Sequence, residues 1–256
     1  MSDSVYEPFL EAQDQAMREV VIYHTGAPVE IQAPHGCGKT ELLLQRAVHL
    51  ERADLAWRLE WKLITFSRKA TQGARERLQL LFGEDADDLP VSTIHSLGRS
   101  IVQTALGRRD LRVVDPREAD FFVREAMKKA GLSPQAWPSE LVAGLIGEAK
   151  ERRVMPEEFV TLSASPLQQK IAQVYAEYQA LLRSRRAYDF ADLILEATKL
   201  LEQDTALCEQ VQMSCRFLMV DEWQDSSLGQ YALIRRLVGP QRDIMVAGSE
   251  DQSIYE

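Results

Sequence analysis

Eight consecutive residues restrict what this chain can become: Ala33-Pro34-His35-Gly36-Cys37-Gly38-Lys39-Thr40 follow a short apolar run with Val29 and Ile31 and open a helical pattern carried by Leu42, Leu43, Leu44, Ala47 and Val48. A strand, a glycine-bearing turn and a helix in that order make a phosphate-binding loop. A polyphosphate needs several backbone N–H groups turned toward one point, a helix N-terminus behind them and no Cβ in the way, which Gly36 and Gly38 provide. Lys39 adds a point charge for the outer phosphates and Thr40 a hydroxyl for Mg2+. The usual pattern opens on glycine, and Ala33 departs from it.

A second feature raises the loop above a chance glycine turn. Phe217-Leu218-Met219-Val220 is a continuous apolar run of the kind that forms a buried parallel strand, and it ends in Asp221-Glu222. Carboxylates at the C-terminal end of a strand face the ligand crevice of an open α/β sheet. Asp221 is placed to hold Mg2+ through its water shell and Glu222 to polarise the water that attacks a γ-phosphate. An acidic pair after a strand is common in exposed turns; joined to the loop it reads as a nucleotide hydrolase.

Composition narrows the partners. With 256 residues and 45% apolar composition the chain has material for one large or two modest cores. A formal net charge of −9 gives no support to a nucleic-acid partner from overall charge, so any such binding must use a local groove. Cys37, Cys208 and Cys215 have no metal-like spacing and one lies in the loop, which argues for reduced thiols in a cytoplasmic protein and against a zinc site. The acidic start Met1-Ser2-Asp3-Ser4 lacks the basic and apolar segments of an export signal, and no apolar run reaches membrane-spanning length.

Strand-like runs recur at Val29–Gln32, Leu63–Phe66, Val91–Thr93, Phe217–Val220 and Ile244–Ala247 with helical patterns between most of them, which predicts a parallel sheet flanked by helices. Between Leu97 and Cys215 the pattern is almost wholly helical, over Ala119–Ala130, Leu141–Arg153, Leu167–Arg186 and Asp192–Glu202, separated by Pro134, Pro138, Pro156 and Pro166. This predicts an α/β domain of residues 1–106 and 214–256, with an inserted all-helical subdomain of residues 107–213.

Further stretches fall in an order that resembles the ATP-binding half of the UvrD/Rep-like superfamily 1 DNA helicases, over nearly the whole chain. Phe9-Leu10-Glu11-Ala12-Gln13-Asp14-Gln15-Ala16 is similar to that family's Q motif, which puts Gln13 at the adenine edge; an amide offers the donor and acceptor that adenine needs. Leu63-Ile64-Thr65-Phe66-Ser67-Arg68-Lys69-Ala70 resembles motif Ia and Ser92-Thr93-Ile94-His95-Ser96-Leu97 motif Ib. The resemblance implies that Phe66, Ser67, Lys69, Thr93 and His95 line a single-stranded DNA track, with hydroxyls and a base on phosphates and an aromatic ring as a stacking face. Asp189-Phe190-Ala191-Asp192-Leu193-Ile194 looks like the end of the family's inserted 1B subdomain, and the basic run Arg183-Ser184-Arg185-Arg186 before it is either a DNA contact or a solvated face.

Asp221-Glu222-Trp223-Gln224-Asp225 matches the DExQD form of motif II, in which Gln224 would couple nucleotide and DNA sites and Trp223 would pack. Ala247-Gly248-Ser249-Glu250-Asp251-Gln252-Ser253-Ile254-Tyr255 resembles motif III, with Gln252 reading the γ-phosphate and Tyr255 beside DNA-stacking aromatics; Ser249 stands where the family has Asp. The fold so implied is a RecA-like P-loop NTPase domain using ATP and Mg2+, with Ala33 to Thr40 as the phosphate cradle and Lys39, Asp221, Glu222 and Gln252 as the catalytic set. The chain stops at Glu256, whereas a working 3′-to-5′ translocase of this family needs a second RecA-like domain that supplies arginine fingers, each worth roughly 10³–10⁵ in rate. The expectation is the N-terminal half of a longer helicase, slow at hydrolysis and unable to unwind alone. The motor half of a helicase–nuclease and a nucleotide-dependent binding module remain alternatives; the Asp-Glu pair argues against a small-molecule kinase.

Overall fold

A computed structural model of the protein describes residues 15, 18–34, 36–83, 89–162, 165–239 and 243–249. The described residues divide into two compact units, one within Met1–Ile94, Cys208–Ser226 and Arg236–Glu256 and one within His95–Leu207 and Ser227–Arg235.

The first unit is built on five parallel strands: β1 (Val29–Gln32), β2 (Trp61–Thr65), β3 (Val91–Thr93), β6 (Phe217–Val220) and β7 (Asp243–Gly248), in the spatial order β1-β7-β6-β2-β3. Parallel strands need long crossovers, and the helices α1 (Lys39–Arg52), between β1 and β2, and α2 (Arg68–Phe82), between β2 and β3, supply two of them. All four residues of β6 are buried, as expected of a central strand covered on both faces. Leu43 and Leu44 of α1 pack with Trp61, Leu63, Met219 and Met245 in one apolar cluster. Trp61 keeps its indole satisfied there by donating to Glu51 Oε1 at 2.6 Å. α2 starts at Ser67, whose hydroxyl accepts from Ala70 N at 3.0 Å, and stops at Gly83, a left-handed residue at φ 69°.

Strand order has a functional consequence. The loop leaves β1 and the acidic pair leaves β6, yet β7 lies between those strands, in register at Gln32 with Gly248 and at Val220 with Val246. β7 therefore ends between the strand that carries the phosphate loop and the strand that carries the acids. β2 and β3 continue the row on the far side of β6, with Thr65 beside Thr93.

The second unit is helical around the core of α4 (Pro116–Lys129), α5 (Ser139–Glu151), α6 (Pro156–Leu162), α7 (Pro166–Ser184) and α8 (Phe190–Gln203), with Phe122, Met127, Ile146, Val174, Tyr175 and Tyr178 buried in one cluster. Two short strands, β4 (Arg112–Val113) and β5 (Ala187–Tyr188), pair in parallel within it. The prolines that separate the predicted helices turn out to open them: Pro156 and Pro166 are first residues of α6 and α7, and Pro138 is the N-cap of α5. A first-turn proline gives up no hydrogen bond, because that N–H has no partner in the helix. Ser165 with Gln168 and Asp189 with Asp192 form reciprocal capping boxes for α7 and α8. The chain also contains α3 (Ile94–Leu106), α9 (Thr205–Met213) and α10 (Leu228–Leu237). No described helix is long and apolar enough to cross a membrane.

Candidate functional site

The loop after β1 has the conformation that anion binding requires. Gly36 and Gly38 stand at φ 81° and 80°, left-handed values that a side chain disfavours, and Gly38 is the N-cap of α1 without a side-chain cap. A Cβ added at either glycine would meet no protein atom within 4 Å. Glycine therefore contributes backbone conformation inside the protein and leaves open space on the side a ligand would occupy. The first-turn N–H groups of α1, with a positive helix end behind them, are free of intrahelical partners and suited to an anion.

Lys39 opens α1 and is 7% exposed, with its ammonium donating to Ala33 O at 2.7 Å and Pro34 O at 3.0 Å. Those carbonyls hold the cation over its own loop. Thr40 follows, and its hydroxyl donates to Asp221 Oδ2 at 2.7 Å. Residues 181 positions apart, read from sequence as one site, thus meet directly. Asp221 is 3% exposed and also accepts from Glu222 N at 3.1 Å. Burial raises its pKa above the usual carboxylate value, the Thr40 hydrogen bond opposes the rise, and the charge of Glu222 adds to it.

Glu222 turns sharply out of β6 in the left-handed region, at φ 52°, a conformation that disfavours a residue with a side chain by about 1–2 kcal/mol. Its Oε2 accepts from Gln224 Nε2 at 2.8 Å, and Gln224 Oε1 in turn accepts from Ser249 N at 3.1 Å. Gly248 makes this bridge possible, since a Cβ there would stand 2.9 Å from Gln224 Oε1. Ser249 participates through its backbone N–H, so the serine in place of aspartate leaves the link intact. Gln224 joins the end of β6 to the end of β7, the strand that separates the loop from the acids.

Hard oxygen donors suit Mg2+, and the converged Thr40 hydroxyl and Asp221 carboxylate are of that kind. Among the described residues no group of three or more His, Cys, Asp or Glu side chains could hold a metal. A cation here would therefore lean on phosphate oxygens and water, the usual habit of Mg2+.

The predicted DNA contacts divide. Phe66, half-buried, and exposed Ser67 and Lys69 follow β2, while Thr93 ends the neighbouring β3. Ser67 spends its oxygen on the α2 cap. His95 belongs to the second unit, where its ring meets Phe190 edge-on at 5.9 Å; burial lowers its pKa, so it would offer a neutral hydrogen-bonding ring and no charge. Gln13, His35, Gln252 and Tyr255 lie outside the described residues. The three cysteines are free, with Cys37 exposed in the loop, Cys208 intermediate and Cys215 buried.

A carboxyl whose pKa is raised by folding adds stability only below its unfolded pKa, and that contribution is lost as pH climbs through the raised value. Asp221→Asn keeps the shape and removes the buried charge. It is expected to raise unfolding stability at pH 7 by about 0.5–2 kcal/mol and to abolish Mg2+-dependent nucleotide binding. Thermal melts of both proteins, repeated at acidic pH where the gap should close, check the sign.

Comparison with known proteins adds an independent line. A family model described as the UvrD/REP helicase N-terminal domain matches residues 13–256. The ATP-dependent DNA helicase PcrA of Bacillus subtilis (strain 168) is 30% identical over 245 residues, 93% of this chain and 33% of the relative. PcrA of Leuconostoc citreum is 31% identical over 239 residues, 90% of this chain and 32% of the relative. PcrA of Staphylococcus aureus (strain Mu50 / ATCC 700699) is 29% identical over 235 residues, with 90% and 32% covered. The chain spans about a third of the length of these curated relatives.

Proposed function

The chain belongs to the UvrD/REP helicase family, whose N-terminal domain it matches, and from that premise we propose that its first unit is the ATP-binding lobe of a DNA helicase. The observation that carries this reading is the Thr40–Asp221 contact, which brings the phosphate loop and the acidic strand end together. In this reading the loop residues Ala33 to Thr40 cradle the triphosphate, Lys39 leaves its loop carbonyls for the outer phosphates, and Gln13 reads the adenine edge. Thr40 and Asp221 would hold Mg2+, which when bound neutralises phosphate charge. Glu222 orients and deprotonates the attacking water, and Gln252 reads the γ-phosphate.

Single-stranded DNA is the proposed polymer, running over Phe66, Ser67, Lys69, Thr93, His95 and Tyr255. The net charge of −9 confines such binding to a local track, and the phosphate contacts made there weaken as salt rises. The second unit corresponds in this reading to the inserted helical subdomain, and 3′-to-5′ movement is proposed for a two-lobed motor in which a second RecA-like domain supplies the arginine that stabilises the transition state. The PcrA relatives are named ATP-dependent DNA helicases, which supports this reading.

Titration with a fluorescent ATP analogue and Mg2+ tests the central step. The wild-type chain is expected to bind, and Lys39→Ala to lose about 100-fold or more in affinity through removal of charge-assisted phosphate contacts, with its circular dichroism unchanged. Equal affinity in the variant would remove Lys39 from the site, and absence of binding by the wild type would overturn the reading.

A further inference from the structure

Arg46 lies seven residues along α1 from Lys39, on the side of the helix that carries Leu43, Ala47 and Leu50 into the core, and it is 1% exposed. Its Nη2 donates to Asp243 Oδ1 at 2.6 Å, at the head of β7. Its Nη1 faces the carbonyls of Val21 and Ile22, each at 3.3 Å, and of His24. The other Asp243 oxygen accepts from Gly26 N at 2.9 Å. Two more contacts fasten the same segment: Tyr23 meets His49 of α1 edge-on with ring centroids 4.6 Å apart, and Val21 packs against the core.

One guanidinium therefore ties three pieces of chain together: the helix that begins at the phosphate loop, the strand that ends beside Gln224, and the helical turn at 18–23 that leads into β1. Arginine suits this because its planar fork presents five donors and stays charged. For stability alone the choice is a poor one. An apolar side chain at a core-facing position usually stabilises a fold as well as a buried ion pair or better, because both charges must be desolvated.

A nucleotide is gripped at two ends. The phosphates meet the N-terminus of α1, and the assignment of Gln13 to adenine places recognition of the base on chain just ahead of the fastened turn. We infer that Arg46 is a positioning residue for nucleotide recognition, holding the segment ahead of β1 in register with the phosphate-loop helix so that base and triphosphate are met together. This inference rests on the ATP-site reading above. Arg46 touches no phosphate in this account and acts through the backbone it holds.

Affinities of the full chain for ATP, GTP and inorganic tripolyphosphate, each with Mg2+, separate this role from a merely structural one. Arg46→Lys keeps the charge but loses the fork, and Asp243→Asn keeps the shape but loses the counter-charge. Both are expected to weaken ATP by about 10- to 100-fold, the scale of a misplacement near 1 Å, and to bring the ATP-to-GTP ratio close to one. Tripolyphosphate affinity, which depends only on the loop, should stay within about twofold of wild type. Equal weakening of ATP and tripolyphosphate, or an unaltered ATP-to-GTP ratio, overturns the inference; so does a wild type with no base preference, which leaves the phosphate-site reading standing. A wild type that binds neither ATP nor tripolyphosphate overturns that reading and the inference with it. If one variant fails to fold by circular dichroism, the other decides.

Discussion

Glu222→Gln is expected to slow ATP hydrolysis by about 10²–10⁴-fold while leaving nucleotide affinity nearly unchanged, the range for loss of a positioned general base. The substitution is close to isosteric. The glutamine oxygen can still accept from Gln224 Nε2, now at 2.8 Å from Glu222, and the left-handed backbone at φ 52° is no harder for glutamine than for glutamate. What disappears is the negative charge that would take a proton from water. A second effect follows at Asp221, whose raised pKa owes part of its rise to the neighbouring Glu222 charge. Removing that charge eases ionisation of Asp221, so Mg2+-nucleotide should bind at least as well as in wild type. Single-turnover hydrolysis with protein in excess over labelled ATP reads the chemical step, and titration with a non-hydrolysable analogue reads affinity. If both fell together, Glu222 would be holding the ligand instead of acting on water.

The loop and the acidic pair were legible in sequence because each depends on local chemistry: left-handed glycines before a helix, and carboxylates ending an apolar strand. β1, β3 and β6 span the residues predicted for them, and β2 and β7 differ by one or two residues at their ends. Their spatial order was not legible. That β7 stands between β1 and β6, and that Gln224 can bridge to Ser249 N across its end, depends on pairings between residues far apart in the chain. β4 and β5, two residues each, are too short to show any alternation, and α6 and α9 lack a strong apolar period of their own. No motif points to Arg46 or Lys150, although the sequence carries a signal. Lys150 falls on the stripe Val142, Ile146, Lys150, where spacing of four residues calls for an apolar side chain. A charge at such a position marks a buried partner elsewhere in the chain.

Lys150→Met should therefore cost about 3–5 kcal/mol of stability, the usual penalty for removing one side of a buried ion pair. The Lys150 side chain is fully buried, and its ammonium lies 2.6 Å from Asp189 Oδ2 and 2.8 Å from Asp192 Oδ1. Tyr178 donates to the same Asp189 oxygen at 2.9 Å, Gln179 donates to Asp192 Oδ1 at 3.1 Å, and the Tyr178 ring faces the ammonium at 4.9 Å. Helices α5, α7 and α8 are joined through this cluster, and the two carboxylates also form the capping box of α8. Burial pushes Asp189 up, yet the charge and hydrogen bond of Lys150, together with the hydrogen bonds from Asp192 N and the Tyr178 hydroxyl, hold the carboxyl below its usual value. Asp192 is pushed up by burial and by the charge of Asp189, against the pull of Lys150. Without the ammonium both acids would be buried beside each other, and both folded pKa values would rise. Carboxyls raised in this way contribute stability only below their unfolded pKa and lose it as pH climbs. The deficit of the variant is thus expected to be full at pH 7, with Tm lower by roughly 10 °C, and to shrink near pH 4 as the acids take up protons. Urea unfolding at the two pH values reads the difference. Combining Lys150→Met with Asp192→Leu should restore part of the loss, since it removes one of the two stranded carboxylates and its repulsion on Asp189; a double variant no more stable than Lys150→Met alone would show that the cluster acts through α8 capping and not through charge balance.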